Sequence, residues 1–204
     1  MNKTLIFFIA VIGILAGLSS SLLLNKQESV QLSALTWFGN QAKTLPEFTL
    51  KNHDNQVFTN QSLSGQWDLL FFGYTNCPDI CPDTLQTLNT MLNLLPTEID
   101  RNKIHINFIS VDPERDSSDK LKAYVTYFNP EFKGISGEDK QINILTDALG
   151  ILHSREASDS GYNIGHSGAL VLIDPSAKYS GIFSAPLDAI KIAHDIAALI
   201  NSNS

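Results

Sequence analysis

The chain has 204 residues, 43% of them hydrophobic, which is enough for one domain with its own core plus a short appendage. Its formal net charge is −7, and its Lys and Arg residues form no basic cluster. Phosphate binding needs clustered cations, so a nucleic-acid partner is excluded.

From Leu5 to Leu24 the sequence is almost continuously apolar, broken by Gly13, Gly17 and Ser19 to Ser21 and preceded by Lys3. That length matches the roughly 20 helical residues that cross a bilayer. A cleaved secretory signal is the competing reading, with Ala16 to Ser21 as its small-residue region, but Leu22-Leu23-Leu24 beyond it favours an uncleaved anchor. Residues 1–25 are therefore expected to be a membrane anchor or signal segment, 26–44 a polar tether, and 45–204 the folded domain. Lys3 puts the amino terminus in the cytoplasm and the domain on the far side. No long Arg-rich leader is present, which points to the bacterial inner membrane, single-pass, with the domain in the periplasm.

Phe48 to Leu50 and Val57-Phe58 predict a hairpin around the turn Asn52 to Asn55. Trp67 to Tyr74 is a continuous apolar run, as expected of a central strand covered on both faces. After a polar turn, Pro82 fits the first position of a helix whose stripe is Leu85, Leu88, Met91, Leu92 and Leu95, ended by Pro96. Lys103 to Val111 is the next strand, followed by the loop Asp112 to Asp116. Ser117 or Ser118 caps a helix with Leu121, Tyr124, Val125 and Phe128 inward, stopped by Asn129-Pro130. Ile135 lies in a short extended piece, and Glu138 to Leu152 is helical with Ile142, Leu145, Leu149 and Leu152 inward. His153 to Ser167 reads as a polar loop. Gly168 to Ile173 and Tyr179 to Phe183 form a hairpin about Asp174-Pro175-Ser176, and Leu187 to Ile200 is a closing amphipathic helix. Alternating elements with a terminal hairpin imply an α/β three-layer sandwich with a mixed central sheet.

The only two cysteines, Cys77 and Cys81, sit at the junction of the Trp67–Tyr74 strand and the following helix. An exported chain with two cysteines usually carries a structural disulfide, but closing so short a loop removes little unfolded-state entropy. A chemical role is the better explanation. With the helix starting at Pro82, Cys81 is its N-cap, where unpaired N–H groups and the dipole favour a thiolate, opposed by Asp79 and Asp83. Such spacing serves a disulfide, with sulfurs about 2.05 Å apart, or two thiolates roughly 4 Å apart sharing a metal.

A soft metal on two thiolates wants a third donor, and five histidines are available. His105 alternates along a strand and reads as a core-edge residue. His53 and His194 read as surface residues, and His153 sits at a helix end where it meets the dipole. His166 differs, because Gly165-His166-Ser167-Gly168 leads directly into a central strand at the sheet edge where loops converge, although on burial habits alone a lone histidine after Gly also reads as an ordinary structural residue. Asp112, Glu114 and Arg115 show no direct chemistry and are explained as a strand-end loop that caps the next helix. Tyr162 either shields the site or packs.

Phe71-Phe72-Gly73-Tyr74-Thr75-Asn76-Cys77-Pro78-Asp79-Ile80-Cys81-Pro82, then Phe108-Ile109-Ser110-Val111-Asp112-Pro113-Glu114-Arg115-Asp116, then His166-Ser167 before Leu172-Ile173-Asp174-Pro175, resemble the Sco/SenC family of copper-binding cytochrome c oxidase assembly proteins. The resemblance covers residues 45 to 200. It implies a thioredoxin-like fold behind an amino-terminal membrane anchor, with Cys77, Cys81 and His166 as copper ligands. Two thiolates and an imidazole suit Cu(I), and hold Cu(II) with a weak extra ligand. The resemblance further implies a metallochaperone that serves the CuA site of cytochrome c oxidase subunit II and receives copper from an upstream donor protein. A membrane-tethered thiol-disulfide oxidoreductase that keeps the CuA cysteines reduced is the alternative. A thiol peroxidase would need a marked peroxidatic cysteine, and none is marked. The chain departs from the family at Gly165, where Asp is common, removing a carboxylate from beside the histidine.

Overall fold

A computed structural model describes residues 31–158 and 161–202, and the expected anchor lies outside them. The central strand β5 (Trp67–Gly73) is buried at every position. Because side chains alternate along a strand, its two faces feed two separate cores. Leu69 and Phe71 join Leu85, Leu88 and Met91 of α1 (Ile80–Leu94), Leu121 and Val125 of α2 (Ser118–Phe128), and Ile192 and Ile196 of α4 (Ala189–Ser202). Leu70 and Phe72 join Ile142, Leu145 and Leu149 of α3 (Asp139–Leu149) on the opposite face. Each such fully buried side chain contributes about 1.5–3 kcal/mol, so the two-faced strand is the axis of the fold. The expected three-layer sandwich is what these two cores build.

The sheet is mixed, as expected. Parallel to β5 runs β6 (Ile104–Ser110), and parallel to that β7 (Lys133–Ser136). The antiparallel strands are β3 (Leu50–Asn52) and β4 (Val57–Phe58) on one side, and β10 (Leu170–Ile173) and β11 (Lys178–Phe183) on the other. Leu170 pairs with Phe71, so the chain entering β10 arrives level with the end of β5. That register brings the His166 segment to the edge where the cysteine loop leaves the sheet.

Three expectations are corrected. The stretch expected to be tether is folded from Leu32 onwards. β1 (Leu35–Trp37) and β2 (Lys43–Thr44) both pair with β11, and the fully buried carboxylate of Asp195 accepts the N–H groups of Ser33 at 2.8 Å, Ala34 at 2.7 Å and Leu35 at 2.9 Å. Those are the donors an edge strand would otherwise leave unpaired. Second, His153 to Ser167 is not a loop but a separate antiparallel ribbon, β8 (His153–Ser158) and β9 (Gly161–His166). Third, α3 stops at Leu149 because Gly150 takes the left-handed conformation, φ 69°, so Leu152 is 82% exposed rather than inward.

Candidate metal centre

α1 begins at Ile80, two residues before the expected start, so Cys81 is inside the first turn and Asp79, not Cys81, is the N-cap. Pro82 is accommodated because the first N–H groups of a helix have no intrahelical partner to lose. Asp79 makes no side-chain cap. Instead the Cys81 N–H points at Cys77 Sγ, 3.4 Å away, and the sulfur does what a capping oxygen would. Cys77, rather than Cys81, is therefore the cysteine that the helix terminus favours as a thiolate.

The two free thiols are opposite in character. Cys77 is half-buried, and its pKa is brought down to about 4, above all by the hydrogen bond from Cys81, with His166 and the N–H groups of Asp79 and Cys81 adding to it. Cys81 is fully buried, and its pKa is pushed up by the same bond to Cys77 and by burial. The two thiols are coupled and titrate as a unit, with Cys77 the readier of the two to ionise.

His166 Nε2 lies 3.3 Å from Cys81 Sγ, across 85 positions of sequence. Its Nδ1 is 3.1 Å from the Ser167 carbonyl, which only accepts, so Nδ1 carries a proton, and Nε2 faces the sulfurs. The ring stands edge-on to Tyr74 at 5.9 Å and 88°, and is tilted against Phe71 at 6.0 Å. Within 4.8 Å of one another lie two sulfurs and one imidazole nitrogen, a donor set for a soft metal. All three residues singled out from the sequence are thereby brought together. The other histidines are not part of the cluster. His53 is buried, contrary to its surface reading, and accepts the Gly134 N–H at 3.1 Å. His105 meets the Asn102 carbonyl, His194 meets Asp195, and His153 stands opposite His166 in the ribbon.

Gly73 is what lets the sulfur sit against the end of β5. A Cβ there would lie 2.6 Å from Cys81 Sγ and 2.8 Å from the Phe108 ring. Gly165 has a different consequence. A Cβ on it would fall 2.8 Å from Glu156 Oε1, so a carboxylate from the neighbouring strand occupies the space a side chain there would need.

The Asp112–Asp116 loop does more than cap a helix. Asp116 is buried and accepts from the Thr75 N–H at 3.0 Å, the Thr75 hydroxyl and the Ser110 hydroxyl at 2.7 Å, fixing the start of the cysteine loop. Lys120 holds the next residue of that loop, donating to Asn76 Oδ1 at 2.7 Å. At the loop's other end the Arg115 Nε donates to Asp112 Oδ2, and Arg115 Nη1 donates to the Tyr162 carbonyl at 2.9 Å. The Tyr162 hydroxyl donates to Asp112 Oδ1 at 2.7 Å, and the Arg155 guanidinium closes on Glu114 at 2.9 Å. One loop therefore fastens both ligand-bearing segments: the cysteine turn through Asp116 and the histidine ribbon through Arg115. The partners that join different segments lie 41 to 50 positions apart, and no local spacing signals them.

Comparison with known proteins agrees with this geometry. The SCO1/SenC family model matches residues 39–201. A "putative copper-binding protein" of Stutzerimonas stutzeri is 36% identical over 146 residues, covering 71% of each chain. An "SCO2-like protein" of Rickettsia felis is 32% identical over 187 residues, covering 88% of this chain and 89% of that one. Among solved structures, copper-bound ScoI of Arabidopsis thaliana superposes with a TM-score of 0.71 at 30% identity, covering 76% of this chain and 97% of that one. With three donors at one rim of a mixed α/β sheet and this match over most of its length, the chain belongs to the SCO1/SenC family.

Proposed function

We propose that the protein is a copper metallochaperone that holds the ion on Cys77, Cys81 and His166 and passes it to the CuA site of cytochrome c oxidase subunit II. The observation that carries this reading is the convergence of those three donors within 4.8 Å. Cu(I) is satisfied by three soft donors, and Cu(II) takes a further one. Binding releases thiol protons from the cysteine pair, because both sulfurs must be thiolates to ligate. Cys77 and His166 are half-buried whereas Cys81 is sealed, so ligand exchange with a client begins at Cys77 and His166 and ends at Cys81. The apolar run from Leu5 to Leu24 supports a tether in the bacterial inner membrane with the folded unit in the periplasm, where CuA domains and an upstream copper donor are reached.

The test is anaerobic Cu(I) titration of the reduced protein, with X-ray absorption to count donors. One ion per chain with two sulfurs and one nitrogen is expected, lost in His166→Ala. Stoichiometric binding that survives His166→Ala would overturn the assignment.

The lowered pKa of Cys77 favours a second activity, thiol-disulfide exchange. The Cys77 thiolate would attack a client disulfide, forming a mixed disulfide and releasing one client thiolate. Cys81, once deprotonated, would displace the second, leaving the client reduced and Cys77 joined to Cys81. His166→Ala is expected to abolish copper binding while exchange persists, because both sulfurs and the Cys81 hydrogen bond that does most to lower the Cys77 pKa remain, and this separates the two readings.

A further inference from the structure

In the β8–β9 ribbon the Ser167 N–H donates to the Leu152 carbonyl at 3.1 Å. Hydrogen-bonded and non-hydrogen-bonded pairs alternate along antiparallel strands, so the adjoining pair, His153 opposite His166, is of the non-hydrogen-bonded kind. In such pairs the Cβ atoms are about 4.5–5.5 Å apart and both side chains leave the same face. Here that face is the one turned to the domain, since it also carries Ile164, which is buried, and Tyr162, which lies under Arg115. Gly165 and Glu156 project from the opposite face. His153 is half-buried, and among the described residues no hydrogen bond or ion pair engages its ring. Each of the three histidines away from the ribbon, by contrast, spends a ring nitrogen on a local partner.

We propose that His153 is a further copper ligand, paired with His166, which gives the centre two sulfurs and two imidazole nitrogens when the ion is Cu(II). The inference rests on the copper reading of the Cys77, Cys81 and His166 cluster and extends it. Cu(II) prefers a tetragonal set of four donors and takes imidazole readily, whereas Cu(I) is content with three. Other polar groups at the rim are already engaged: Asp116 by Thr75 and Ser110, and Asp112 by Arg115 and Tyr162. His153 stands outside the three-donor cluster and joins it by turning about its own side-chain torsions. The Cu(II) form would thus carry one nitrogen more than the Cu(I) form, with the same two sulfurs.

The experiment loads wild-type protein and His153→Ala with Cu(I) and with Cu(II), and reads nitrogen donors by electron paramagnetic resonance and X-ray absorption. For wild type, two imidazole nitrogens on Cu(II) and one on Cu(I) are expected. In His153→Ala the Cu(II) spectrum shows one nitrogen, its affinity falls tenfold or more, and Cu(I) affinity stays within twofold. Free imidazole added to that variant restores the second nitrogen, which a merely structural role would not allow, and His153→Gln behaves as His153→Ala while keeping the side-chain bulk. Equal nitrogen counts and Cu(II) affinities in wild type and His153→Ala overturn the role of His153 and leave the three-donor Cu(I) site standing. Absence of Cu(I) binding in the wild type overturns both.

Discussion

Arg115 grips Tyr162 twice, its guanidinium carbon 3.7 Å from the ring centroid and its Nη1 donating to the carbonyl of the same residue at 2.9 Å. Tyr162 lies on the strand that ends in His166, so this contact fixes where the imidazole stands. Lysine keeps the charge but has neither the planar fork nor the stacking face. Arg115→Lys is expected to leave the fold intact and to lower Cu(I) affinity about 10- to 100-fold, the usual effect of losing a partner that orients a ligand. Competition against a chromophoric chelator measures it; an affinity equal to wild type would mean the ribbon is held by other contacts.

Gly73→Ala puts a methyl group where Cys81 Sγ and the Phe108 ring already are. Both neighbours are fully buried, so the new atom displaces the sulfur or the strand end. Overpacking of this kind costs about 1–3 kcal/mol. Thermal melts should show that loss, and X-ray absorption of the copper-loaded variant should show one fewer sulfur or a lengthened copper–sulfur distance. An unperturbed sulfur shell would show that the site is not packed as tightly as the distances imply.

The parts of the site that could be read from sequence are those whose signals are local. The continuous apolar run ending in Gly73, the two cysteines four positions apart, and a histidine placed just before another buried strand each announce themselves within a dozen residues. The ribbon did not, because only Ile164 of its inward face is deeply buried and its stability comes from Arg115, far off in the chain. β1 was hidden for a similar reason. Three residues carry no periodicity, and what makes Leu35–Trp37 a strand is pairing with β11 together with Asp195 on the last helix. The early start of α1 was masked by Pro82, which is tolerated anywhere in the first turn, and what marks that turn is the Cys77 sulfur accepting the Cys81 N–H from across the loop.

Cys77 should alkylate alone and unusually far into acid. Its thiolate is favoured down to about pH 4 by the Cys81 hydrogen bond, whereas Cys81 is buried and keeps its proton. The sign follows: a lowered thiol pKa leaves the reactive anion present at pH 5–7, where an ordinary cysteine, with a pKa near 8.5, is almost wholly protonated. Iodoacetamide labelling read by mass spectrometry should give one adduct, on Cys77, with a rate nearly flat from pH 7 to 5 and falling toward pH 4. A rate that drops tenfold per unit below pH 8 would show that no such thiolate exists. Cys81→Ser should flatten less, since serine replaces the thiol proton donor with a different hydroxyl geometry.

At the other end of β5 from the cysteines, Asp68 is 1% exposed and accepts from Asn107 Nδ2 at 2.6 Å and from Gln66 Nε2 at 3.1 Å. Burial raises its pKa to about 6, against the opposing effect of those two hydrogen bonds. A carboxyl whose folded pKa lies above its unfolded one favours folding fully below pH 4, and that contribution is lost as pH climbs through 6. Stability should therefore decline between about pH 4 and 6 through this residue, by on the order of 3 kcal/mol, while other carboxylates act in the reverse sense. Asp68→Asn removes the charge and keeps an acceptor toward Asn107. Urea unfolding is expected to show the variant more stable than wild type at pH 7.5, with the gap closing toward pH 4, and Cu(I) affinity unchanged because the residue is remote from the sulfurs. A variant less stable than wild type at both pH values would mean that the carboxylate is charged in the fold and that Asn107 and Gln66 are there to hold it so.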